Sequence, residues 1–138
     1  MKAKIEWVDN VHFKATSGTG HELHMDGPEA SGGQNAGARP METVLIDMGG
    51  CAAYDVVHIL RKRRVEVEHC VADVSAERAE TDPKVFTKIH LHFSVKGEGL
   101  TEKAVARAVE LSAEKYCSAS IMLGKTADIT HSFELLAD

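Results

Sequence analysis

The stretch Arg39–Arg64, "RPMETVLIDMGGCAAYDVVHILRKRR", decides how the rest of the chain is read. Pro40 suits the first position of a helix, where its missing N–H has no partner to lose. From there Met41, Val44, Leu45, Met48, Ala52, Val56, Ile59 and Leu60 recur at the i, i+3, i+4 spacing of one helical face. The pattern predicts a helix of about 22 residues, roughly 33 Å long at about 1.5 Å per residue. A helix of that length crosses the molecule as its central element. At its middle stand Gly49, Gly50 and Cys51. Glycine inside a helix costs about 1 kcal/mol relative to alanine. The pair therefore implies close packing of another backbone, or a site that needs room.

Strands flank this helix. Ile5 and Trp7 alternate in residues 3–8, Asp9-Asn10 supplies a turn, and Val11, Phe13 and Ala15 continue into a second strand. Residues 17–20, "SGTG", turn again before a short strand marked by Leu23 and Met25. Residues 26–38, "DGPEASGGQNAGA", have no period and read as a flexible loop. Beyond the helix, residues 65–77 alternate with mixed faces. Residues 85–96 set Val85, Thr87, Ile89, Leu91, Phe93 and Val95 against Lys88, His90, His92, Ser94 and Lys96. Asp82-Pro83 lies in the turn of this hairpin. Thr101 begins a second helix, Gly124 ends a short further one, and Ile129, His131, Phe133 and Leu135 alternate as a last strand. The order is βββ-α-ββ-αα-β, an α+β arrangement without internal repeats.

The chain's 138 residues suit one domain, residues 1–138. Its apolar and charged fractions, 43% and 27%, are those of an ordinary globular chain. There is no run of 18 apolar residues, so no membrane span is expected. The charged, alternating start "MKAKIEWVDN" differs from a secretory signal, and a cytoplasmic location is expected. A net charge of −5 argues against a nucleic-acid partner. The basic run Arg61–Arg64 complements the dipole at the helix C-terminus. Three cysteines, Cys51, Cys70 and Cys117, lack CxxC spacing and form no disulfide framework. They are left with buried packing or thiol chemistry. Cys70, on a strand, is assigned no role.

Two segments carry a family resemblance. "RPMETVLIDMGGCAAYDVV" resembles the P-x-E…G-x-C helix signature of the OsmC/Ohr family, and "AEKYCSASIML" resembles its second-cysteine segment, C-x-x-S. The 66-residue separation of Cys51 and Cys117 and the element order agree with it. The resemblance implies an OsmC-like fold and an intertwined homodimer, with long helices packed together and two sites at the interface. There Gly49 and Gly50 would admit a neighbouring backbone. It further implies a two-cysteine peroxidase, needing neither metal nor cofactor, that reduces organic hydroperoxides in oxidative-stress defence. Cys51 would be the peroxidatic residue and Cys117 the resolving one, with a dithiol such as a lipoyl group as reductant. The chemistry is sound: a thiolate attacks the peroxide, and a second thiol converts the sulfenic acid to a disulfide.

The sequence departs from the pattern at two positions. The family pairs its reactive cysteine with a glutamate ten residues earlier and an arginine from the N-terminal strands. Here that position is Met41, and the acid is Glu42, nine residues before Cys51. Nine helical residues turn about 900° and rise about 13–14 Å, which puts Glu42 on the far side of its own helix. It would reach a site only across a dimer interface. No arginine precedes Arg39, which sits at the helix entrance and is the candidate substitute. Asp55, one turn after Cys51, would raise the thiol pKa if it shares that face. A different class of function competes: an OsmC-fold protein that binds a small apolar or lipid-like ligand without turnover. A cysteine–histidine hydrolase ranks below both for want of a partner motif. Among the eight histidines, His90, His92 and the possible neighbour His131 read as a solvated sheet face rather than a metal site. Tyr54 and Tyr116 read as core or interface packing residues.

Overall fold

The computed structural model describes residues 1–137. The chain is built as two compact units, Met1–Val44 and Leu45–Asp138.

In the first unit, strands β1 (Ala3–Asp9), β2 (His12–Ser17) and β3 (Glu22–Met25) form an antiparallel sheet in that order. The register sets Ile5 beside Ala15 and Leu23, and Trp7 beside Phe13 and Met25, so one face is apolar. Ile5, Trp7, Phe13 and Leu23 on that face are exposed. The segment 26–38, expected to be a flexible loop, is wound around one side chain. Asp26 is buried, and its carboxylate accepts hydrogen bonds from the backbone N–H groups of Gly27, Gln34 and Ala36, at 2.8, 2.9 and 3.1 Å. These bonds favour the ionised form and hold the carboxyl below its ordinary range.

Helix α1 runs unbroken over Pro40–Lys62. Glu42 reaches back to accept the Arg39 backbone N–H at 2.8 Å, the acidic half of a capping box. Arg61 and Lys62 close the last turn, where cations meet the carbonyl end of the dipole.

The second unit holds the core. Strands β4 (His69–Arg78), β5 (Phe86–Lys96) and β6 (Asp128–Leu135) lie in that order, β4 antiparallel to β5 and β5 parallel to β6. A parallel pair needs a crossover. Helix α2 (Glu102–Leu111), a π-helical turn (Ser112–Tyr116) and helix α3 (Ser118–Leu123) supply it. Thr101 caps α2 by accepting the Ala104 N–H, and Gly124 ends α3, as the sequence implies. Met48, Ala52, Val56 and Leu60 of α1 are buried, as are Ile89, Leu91, Phe93 and Val95 of β5 and Val105, Ala108 and Val109 of α2. Full burial of a side chain such as Leu60 or Phe93 contributes about 1.5–3 kcal/mol.

The start of β5 departs from its alternation. Val85 and Thr87, expected to face inward, are exposed, and Phe86 is buried instead. The pairing runs from Glu77–Lys88 directly to Arg78–Phe86, which leaves Thr87 as the extra residue of a bulge. Its hydroxyl donates to the Glu77 carbonyl.

The two glycines of α1 separate in role. A Cβ on Gly49 would stand 2.8 Å from Cγ2 of Val74, inside van der Waals contact, whereas nothing lies within 4 Å of one on Gly50. Within the chain, Gly49 therefore lets α1 settle on β4 against a side chain. Gly50 faces open space in the chain. Among the described residues α1 is also the one helix long and apolar enough to cross a membrane, which a search for unbroken apolar runs overlooks. Its Met48–Leu60 stripe is instead committed to the core.

Gly49→Val is expected to destabilise the protein by about 1–3 kcal/mol through overpacking against Val74. Val74→Ala in the same chain is expected to recover part of that loss in urea denaturation. Strictly additive losses would contradict the contact.

Candidate redox site

Cys51 and Cys117, far apart in sequence, meet in the second unit. The Sγ atoms of Cys51 and Cys117 and a carboxylate oxygen of Asp55 all lie within 4.8 Å of one another. Cys51 and Asp55 share a face of α1 because four residues make about one turn. Cys117 is delivered by the crossover. The π-helical turn inserts an extra residue into the helical path. At Cys117 the backbone leaves helical geometry (φ −74°, ψ 98°) before α3 begins.

Ser112 brackets the two halves of the site. It is buried; its hydroxyl donates to the Ala52 carbonyl at 3.3 Å, and its carbonyl accepts the Cys117 N–H at 2.8 Å. One residue thus ties the helix beside Cys51 to the backbone of Cys117. Ser120 completes the arrangement by donating to Cys117 Sγ from its hydroxyl at 3.1 Å and from its backbone N–H at 3.4 Å.

The three acids differ in environment. Cys117 is fully buried, and loss of water pushes its thiol above the ordinary range; Cys51 pushes the same way, and the two Ser120 bonds oppose. Burial likewise raises the Asp55 carboxyl against opposing contributions from Ser112 and His58. Its Oδ2 is shut off from solvent without a hydrogen-bond partner. Cys51 is partly exposed, and all three cysteines are free thiols.

The other sequence candidates lie elsewhere. Arg39 and Glu42 are joined at the start of α1. The Arg39 guanidinium approaches the Asp26 and Gly37 carbonyls at 3.5 and 3.4 Å, and the Glu42 carboxylate holds the cap. Cys70 is half-buried on β4, its thiol pushed up by burial alone. His90 and His92 share the outer face of the sheet, where Thr130 and Ser132 hydroxyls engage their ring nitrogens at 2.7–2.8 Å. His131 is not their neighbour on that face. It pairs with Leu91 in register and so points to the opposite side. Tyr54 and Tyr116, expected to pack in the core or at an interface, are outside the core: Tyr54 stacks on His58, and Lys115 lies over the Tyr116 ring. Ser112 escaped the sequence reading because nothing local announces a bond to Ala52, 60 residues away. Ser120 was visible only as the serine of C-x-x-S.

A helix carrying one cysteine, a second cysteine set behind it by a crossover, and an α+β frame in this order define a known class. Residues 32–132 match the family described as OsmC-like protein, and the chain belongs to that family. It is 49% identical over 137 residues to Protein YhfA of Escherichia coli (strain K12), covering 99% of each chain. A solved structure of a hypothetical protein from Aquifex aeolicus VF5 is 31% identical, with a TM-score of 0.86 over 99% of this chain and 96% of that one. The organic hydroperoxide resistance protein OhrB of Bacillus subtilis shares the fold, at 18% identity and a TM-score of 0.63 over 96% of each chain.

Ser120→Ala, in a protein also carrying Cys51→Ser and Cys70→Ser, is expected to raise the Cys117 titration midpoint. A shift of about one unit corresponds to tenfold in thiolate fraction. Ultraviolet thiolate absorbance against pH measures it, and an unchanged midpoint would show that the serine bonds do not act on the sulfur.

Proposed function

We propose that this protein is a thiol-dependent peroxidase that reduces organic hydroperoxides through Cys51 and Cys117 in oxidative-stress defence. The observation that carries the reading is the convergence of the two sulfurs within 4.8 Å. A disulfide needs a sulfur–sulfur distance of about 2.05 Å, which side-chain rotation and a small backbone adjustment supply from such a start. Family membership supports a peroxide-related role, and OhrB, which shares the fold, is a hydroperoxide resistance protein by name.

The environments assign the roles. Cys51, partly exposed, meets the peroxide: its thiolate attacks the hydroxyl-bearing oxygen, an S–O bond forms, the O–O bond breaks, and the alcohol leaves with a proton. Cys117, buried and held toward the thiol form, waits as the resolving residue. Its sulfur attacks the sulfenic sulfur, an S–S bond forms, and water leaves. An external dithiol, with lipoyl groups as the proposed source, reopens the disulfide by exchange.

A second copy of the chain belongs to this proposal. In the first unit one sheet face exposes Ile5, Trp7, Phe13 and Leu23 together, more apolar surface than isolated side chains present; in the second unit α1 exposes Ile46 and Tyr54. In such a homodimer Glu42 and Arg39 would serve the partner's site rather than their own. A second reading, retention of a small apolar ligand without turnover, is favoured by one observation. No arginine precedes Arg39, and its guanidinium is already engaged by loop carbonyls.

Cumene hydroperoxide consumption with dihydrolipoamide separates the two. Turnover is expected in the unaltered protein, a fall to background in Cys51→Ser, and loss of steady-state turnover in Cys117→Ser. Consumption no faster than that of Cys51→Ser would overturn the peroxidase and leave the ligand-binding reading.

A further inference from the structure

We propose that Asp55 is the proton carrier of the Cys51–Cys117 pair, taking the proton from the Cys117 thiol and supplying one to each oxygen that leaves. The inference rests on reading the two cysteines as a redox pair. It goes beyond that reading by assigning the acid–base chemistry to a residue that the family signature does not contain.

Three observations converge on Asp55. It stands one turn beyond Cys51 on the same helix face, with a carboxylate oxygen within 4.8 Å of both sulfurs. That is within reach of either through one water or a rotamer change, and such contacts tighten when substrate binds. Its Oδ2 is closed off from solvent and makes no hydrogen bond, the Ser112 hydroxyl that faces the carboxyl donating instead to the Ala52 carbonyl, whereas a buried oxygen in a purely structural role is normally hydrogen-bonded. The groups that face it are Cys51 and His58 from α1, Ser112 from the π-helical turn, and Cys117 at the start of α3; no arginine or lysine is among them to hold the carboxylate ionised.

The chemistry requires such a group. Alkoxide and hydroxide are poor leaving groups, and the buried Cys117 is held toward the unreactive thiol. The reacting form in this cycle has Asp55 protonated, the state that burial favours for its carboxyl, and Cys51 attacking as the thiolate, the nucleophilic form of any cysteine. When the Cys51 thiolate takes the hydroxyl oxygen and the O–O bond breaks, the departing alkoxide receives the Asp55 proton. The new carboxylate then accepts the proton of the Cys117 thiol. The Cys117 thiolate forms the S–S bond, the S–O bond breaks, and the leaving hydroxide takes that proton to become water. Each step keeps one negative charge in the pocket, so a thiolate and the carboxylate never repel one another. The external dithiol returns two hydrogens, one to Cys117 and one to Asp55, as its own sulfurs join.

Dithiodipyridine tests the base role without any peroxide. In a Cys70→Ser background, Cys51 releases a first thiopyridone, and closure by Cys117 releases a second. Asp55→Asn is expected to slow the second release at least about tenfold near neutral pH, since general acid–base catalysis contributes about 10²–10⁴-fold. It is also expected to remove the acid-side inflection of its pH profile. Asp55→Glu is expected to keep that inflection. Far-ultraviolet circular dichroism and a urea midpoint matching those of the background report that the variants are folded. A second release in Asp55→Asn equal to the background at every pH would overturn the proton carrier while leaving the redox pair intact. No second release in the background protein would overturn the pair itself, and the carrier with it.

Discussion

The seating of α1 on β4 is the constraint from which the site follows. A helix buries one stripe, and here Met48, Ala52, Val56 and Leu60 form it. The stripe can sink only as far as the residue beside it allows, and at position 49 that residue has no side chain to meet Val74. With the helix fixed in depth and rotation, Cys51 and Asp55 fall on the shoulder of the buried face, partly exposed and turned toward the crossover. The glycine pair that looks costly in the sequence is thus two devices. Gly49 sets the depth of the helix, and Gly50 leaves its outer side open.

The crossover supplies the opposing wall. β6 is parallel to β5, so the chain must travel back along the sheet between them. It does so through α2, a π-helical turn and α3, and the break between the last two carries Cys117. Ser112 clamps that break to α1 through the Ala52 carbonyl. The second sulfur is therefore held by backbone on a rigid path. Cys117 is buried and its thiol raised, Cys51 is partly exposed, and a carboxylate oxygen of Asp55 lies within 4.8 Å of both sulfurs.

Much of this was legible in the residues. The apolar spacing after Pro40 gave a helix within a residue or two of Pro40–Lys62, and Thr101 and Gly124 marked helix ends by the chemistry of caps. The two cysteine segments pointed to the family that the chain belongs to. What was not legible depends on contacts distant in sequence. The bulge at Thr87 arises from the pairing of β5 with β4, so alternation alone placed Val85 and Thr87 on the wrong face. His131 was set beside His90 and His92 by residue type, whereas strand register sends it to the other side. The loop 26–38 has no period because Asp26, and not a repeating ladder, organises it. Asp55 was visible as a charge one turn from Cys51; that burial raises its carboxyl and closes off one oxygen was not.

The central claim is that Cys51 and Cys117 act as one redox unit, and peptide mapping under non-reducing conditions tests it most directly. The reduced protein is treated with one equivalent of cumene hydroperoxide, quenched with acid and digested. A single linkage between the Cys51 and Cys117 peptides, with Cys70 still a free thiol, is the expected result. Unlinked peptides, or a linkage through Cys70, would contradict the claim.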